Sequence, residues 1–152
     1  MADFDAQVDA WVKKSAARME AVFKQSAQEV IAAMQEVGPS VANPTSYGRG
    51  NMPVDTGFLR ASLKTTLNSP AVDFKENPGT GLFDWALGEA ALTINGAKLG
   101  DTVYAVYTAN YARHVEYGTR GRAGRRFVAL AAARWPAIVA KVANEAKLRS
   151  GG

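Results

Sequence analysis

From Phe4 to about Val37 the apolar side chains recur at helical steps. Phe4, Val8, Trp11, Met19, Val22, Phe23, Val30, Met34 and Val37 stand mostly three, four or seven residues apart, and Lys13, Lys14, Gln25, Gln28, Glu29 and Gln35 lie mostly off that stripe. No Gly or Pro interrupts the run, and Gly38-Pro39 closes it in the order expected of a helix end. The pattern predicts an amphipathic helix of roughly nine turns, about 50 Å long at 1.5 Å per residue. A helix of that length overreaches a small core. Its stripe either lies across its own sheet or reaches another subunit.

Residues 38–54 carry Gly, Pro, Ser, Asn and Thr without a period and read as a long loop. Asp55-Thr56-Gly57 then opens a short helical turn through Leu59 and Arg60, with Asp55 as its expected N-cap. From Ser62 to Asn68 apolar and polar residues alternate, with Leu63, Thr65 and Leu67 on one side, which is strand spacing. A second loop, 69–83, holds Pro70, Pro78, Gly79 and Gly81. Trp85 to Ile94 and Thr102 to Thr108 read as two further strands, and the turn residues between them predict a hairpin. Tyr111 to Tyr117 is a short helical segment ended by Gly118. Phe127 to about Lys147 is a last helix that Pro136 should kink or divide. The order predicts an α+β fold, with a long N-terminal helix and a C-terminal helix packed on a small antiparallel sheet. The 152 residues fit one domain.

The absence of cysteine removes disulfides, thiolate nucleophiles and thiolate metal sites. The opening Asp3, Asp5 and Asp9 do not resemble a signal peptide, and no apolar run approaches the ~20 residues that cross a bilayer. A soluble protein made in the cytoplasm is expected. The net charge of +4 is mild but unevenly spread. Between Tyr111 and Arg134 stand Arg113, Arg120, Arg122, Arg125, Arg126 and Arg134, with Glu116 the one carboxylate.

Recognisable chemistry is sparse. His114 is the only histidine and reads as a packing or surface residue, since neither a zinc site nor a triad forms around it in sequence. No phosphate-binding or dinucleotide fingerprint occurs, and no carboxylate pair suggests acid–base work. No catalytic, cofactor or metal site is expected, and an enzyme is disfavoured. Arg120, Arg122, Arg125 and Arg126 sit among glycines in one loop. Guanidinium forks suit carboxylates and phosphates alike. Three readings stay open: a solvated loop, a contact with the acidic surface of a neighbouring subunit, or sequence-independent contact with DNA.

Two segments carry more than periodicity. Pro53-Val54-Asp55-Thr56-Gly57-Phe58-Leu59-Arg60-Ala61-Ser62-Leu63 is the first. Tyr111-Ala112-Arg113-His114-Val115-Glu116-Tyr117-Gly118-Thr119, followed at Arg126-Phe127 by the last helix, is the second. In this order and separation they resemble the tail-component family of lambda-like siphophages, whose members are also called neck, tail-completion or head–tail joining proteins. The pattern departs in lacking a proline between Arg126 and Phe127.

The resemblance implies a non-catalytic virion subunit, made in the bacterial cytoplasm. It would form a homo-oligomeric ring, a hexamer, in the phage neck. Its partners there would be head-side connector or stopper proteins, the tail terminator or tail tube protein, and DNA in the channel. Tail terminator and minor tail protein are the alternatives within the same particle.

Within these motifs Asp55 and Thr56 should set the turn, and Gly57 should let the chain reverse. Leu59 and Leu63 should anchor it, and Arg60 should tie it to Glu116 or Asp101. Tyr111, Val115 and Tyr117 should pack on the sheet, and Gly118 should supply a left-handed helix end.

Overall fold

The computed structural model describes residues 3–38, 52–53 and 56–149. The predicted loop 38–54 lies largely outside them, and so does Asp55 with its predicted capping role.

Helix α1 runs Phe4–Met34. Its C-terminal half is the wall of the core, where Ala27, Ile31, Ala33 and Met34 are buried. Every residue from Asp3 to Lys14 is exposed. The helix therefore overreaches its own core, as its length demands. It stops three residues earlier than the apolar stripe suggests, because Gln35 is turned inward and Val37–Gly38 form a short strand, β1, parallel to β2 at Met52–Pro53.

Gln35 is buried and acts as a hub. Its Nε2 donates to the Arg60 carbonyl at 2.9 Å, and its own carbonyl accepts from Arg60 Nε at 3.0 Å. The Tyr107 hydroxyl donates to Gln35 Oε1 at 2.8 Å. Burial pushes the Tyr107 phenol far above its ordinary pKa; the Arg60 charge opposes this and the Glu116 charge adds to it. Gln35→Leu deletes both side-chain bonds and leaves the Arg60 carbonyl and the Tyr107 hydroxyl short of partners. Chemical denaturation should register a loss of about 2 kcal/mol. Adding Tyr107→Phe to that variant should change little, since the hydroxyl has already lost its close acceptor.

Helix α2 (Phe58–Ala61) leads into β3 (Leu63–Leu67), which pairs antiparallel with β4 (Val103–Tyr107) in the register Leu63↔Tyr107 to Leu67↔Val103. The alternation read from Ser62 to Asn68 is thus a strand. The predicted hairpin is not present. Residues Leu87–Asn95 form a helix, α3, so β3 and β4 are joined through a loop and a helix. The physical reason is visible in the segment itself. Ala90, Ile94 and Ala97 recur at helical steps and are buried, and the run is rich in Ala and Leu, which favour helix. Asn68 and Asp101 fasten the far end of the pair. Asn68 Oδ1 accepts from Thr102 N–H, and Asp101 accepts from Lys98 N–H and from Asn68. Those bonds, the Lys98 one foremost, hold the Asp101 carboxyl below its usual range.

Helix α4 (Ala112–Tyr117) is followed by a narrow antiparallel pair, β5 (Gly118–Thr119) and β6 (Arg122–Ala123). The last helix is divided into α5 (Phe127–Ala133) and α6 (Trp135–Arg149), bent by 47°. Pro136 is the second residue of α6, where its missing donor costs least. Phe23 meets Trp135 edge-on at 6.3 Å, and Lys141 pairs with Glu29 at 2.9 Å, tying α6 to α1. Tyr107 on the sheet meets Phe127 of α5 edge-on at 5.2 Å. The architecture is α+β, with a long N-terminal helix, a C-terminal helix and a small two-stranded antiparallel sheet.

Candidate functional site

The two motif segments fold onto one junction. Phe58, from the first, stacks on Tyr111, from the second, at 6.3 Å, and takes an edge contact from Phe83 of the 69–83 loop at 5.3 Å. Beside Phe58 and Tyr111 lies a cavity of about 250 Å³ lined by Pro53, Thr56, Gly57, Phe58, Leu59, Asn77, Tyr111 and Val115. The loop is held to the junction by backbone bonds. Phe83 N–H donates to the Thr56 carbonyl at 2.8 Å, and Lys75 exchanges bonds with Thr108 and Asn110 beside the end of β4. Val72, Phe74 and Leu82 on the same loop are exposed.

Gly57 precedes α2 at φ 86, ψ 3, a left-handed conformation. A Cβ there would overlap the Phe83 carbonyl oxygen. The hydroxyl of Thr56 accepts the Phe58 N–H at 3.4 Å, so the local polar contact to this turn comes from Thr56. Leu59 and Leu63 are buried, as expected of anchors.

Arg60 does not pair with Glu116 or Asp101. It donates to the Gln35 carbonyl, and its guanidinium lies over Trp85, 5.4 Å from the ring centre. Glu116 has a different task. Its buried carboxylate accepts Val128 N–H at 3.0 Å and Ala129 N–H at 2.9 Å, so it caps α5 from a distance. Helix α5 needs this, because Arg126 stands before it at φ 54 with no side-chain capping bond of its own. Without a proline at this point, a left-handed arginine and a carboxylate from α4 begin the helix.

Tyr111 and Val115 pack against the core. Tyr117 does not: it is 63% exposed, with the Arg126 guanidinium 5.6 Å from its ring centre. Gly118 ends α4 at φ 93 but ψ 160, so the chain leaves in an extended direction into β5 and makes no left-handed helix end.

The arginine loop splits. Arg120 and Arg126 are exposed and both have positive φ. Arg125 is only 2% exposed, with its N–H bonded to the Val115 carbonyl, and so is a core residue and not part of a contact surface. The side chain of Arg122 lies outside the described residues. Arg113 on α4 is exposed and stands four residues before Tyr117, on the same side of that helix.

His114 is exposed, and the described residues hold no group of three or more His, Cys, Asp or Glu able to bind a metal. No described single helix is long and apolar enough to cross a membrane. Gln35 and the capping role of Glu116 were beyond sequence reasoning, since each acts on residues distant along the chain.

No family model matches this chain, and neither the curated proteins nor the solved structures contain a match to it.

Proposed function

We propose that this chain is a non-catalytic structural subunit of a tailed-phage particle, forming a ring in the neck that joins the head connector to the tail. The observation that carries the reading is the convergence of the two motifs on one junction, with their polar members spent on construction. Glu116 caps a helix, Arg60 fastens α2 to the end of α1, and Gly57 admits the 69–83 loop. The exposed apolar residues of the α1 arm and of the loop provide surface for neighbours.

The action is geometric. Each copy would contact the next head to tail, the rotation would close a ring of six, and the two faces of the ring would meet the head-side and tail-side proteins. The burial of Arg125 weakens the DNA-contacting alternative by removing one of its four cations. Gold labelling of a tagged chain in intact particles tests the proposal. Label at the head–tail joint is expected; label along the tail, or particles without label, would contradict it.

A further inference from the structure

The α1 arm and the surface around Tyr117 are complementary in charge and in apolar character. On the arm, Phe4, Val8 and Trp11 lie on one stripe and are 75%, 40% and 68% exposed. Asp3, Asp5 and Asp9 flank them, all exposed and without an ion pair among the described residues. Basic residues begin only at Lys13, so the first two turns are an acidic, apolar tip.

On the other surface, Arg113, Arg120 and Arg126 are exposed and likewise form no described ion pair. Among them stand Tyr117 and Leu130, 63% and 44% exposed. Arg120 stands at the turn of the β5–β6 pair that follows Tyr117. Arg126 covers Tyr117, Arg113 lies one turn back on α4, and Leu130 follows Arg126 by one turn of α5. The only carboxylate in this stretch, Glu116, is buried and occupied in capping.

We infer that the acidic tip of α1 docks on the Arg113–Tyr117–Arg126 surface of an adjacent copy of the same chain. This deepens the ring reading and rests on it. Aspartates suit guanidinium forks, and Trp11 suits a surface of Tyr and Arg through stacking and cation–π contact. The arm cannot reach its own patch by folding back, since α1 is one unbroken helix. Two tips paired side by side in parallel would crowd six aspartates, and an antiparallel pair would satisfy both copies and stop at two. Tip on patch leaves a joined pair with one free tip at one end and one free patch at the other, which is the contact a ring requires.

The chain has no cysteine, so engineered thiols report this contact alone. Copies carrying Val12→Cys are mixed with copies carrying Thr119→Cys and mildly oxidised; both positions are exposed and neither belongs to the proposed contact residues. Mixed disulfide dimers should dominate. The triple change D3K/D5K/D9K on the first chain should cut their yield at least tenfold, as should R113E/R120E/R126E on the second. Combining the two triples should restore the yield, which a merely structural effect of either would not. Dominant Val12→Cys homodimers would assign the arm to its own twin and overturn the inference. Equal yields in all four mixtures would overturn it too, as would duplex DNA bound by the native chain, lost in the arginine triple, with no mixed dimer formed. If the mixed dimers form as expected but cross-linked particles are open chains, the contact stands and the closed ring fails.

Discussion

Gly57→Ala is expected to destabilise the chain by about 4 kcal/mol, enough to unfold a domain of ordinary stability in part or altogether. Two effects add. The left-handed conformation costs a side-chain-bearing residue roughly 1–2 kcal/mol. The larger effect is steric, because the new methyl would occupy the position of the Phe83 carbonyl oxygen. Relief requires moving Phe83, which breaks its 2.8 Å bond to Thr56 and its edge contact with Phe58. Gly79→Ala separates the two effects. Gly79 also has positive φ, at 78, but a Cβ there meets nothing within 4 Å. It should cost only the backbone share, about 1 kcal/mol. Urea denaturation of both variants decides the matter, and equal losses would mean that the Phe83 approach is not what Gly57 serves.

Glu116→Ala should cost about 3 kcal/mol, or roughly 6–12 °C in Tm for a chain of this size. It strips the acceptors from two backbone N–H groups at the start of α5, in a partly buried setting where water replaces them poorly. A carboxylate at a helix N-terminus also gains from the helix dipole, so Glu116→Gln should fall between, losing about 1 kcal/mol. Hydrogen exchange gives the decisive readout. The amides of Val128 and Ala129 should lose protection in Glu116→Ala while those of β3 and β4 keep theirs under native conditions. Uniform loss across the chain would mean that Glu116 supports the whole core and not the start of one helix.

What is legible in the residues and what is not are separated by a physical divide. Elements defined by local period were legible: the long amphipathic helix, the alternating strand after Ser62, the short helix before Gly118, and the break near Pro136. The segment Trp85 to Ile94 was misread because its Trp and terminal Thr-Ile suggest strand while its Ala-Leu interior favours helix. Packing of Ala90 and Ile94 into the core settles it. The meeting of the two motifs was expected only through an Arg60–Glu116 tie that does not form, since Arg60 turns to Gln35 and Trp85. Their actual fasteners were not legible, because Glu116 binds residues twelve and thirteen positions on, and Arg60 and Gln35 bind each other twenty-five positions apart. Nor does a local pattern separate the buried Arg125 from the exposed Arg126 beside it. Backbone direction at one left-handed residue does that.

The neck assignment is tested most directly by electron microscopy of particles from a producer strain lacking this gene. The proposed role predicts DNA-filled heads accumulating apart from finished tails of normal length, with joining restored by the native gene. Complete, normally joined particles in the gene's absence would contradict it.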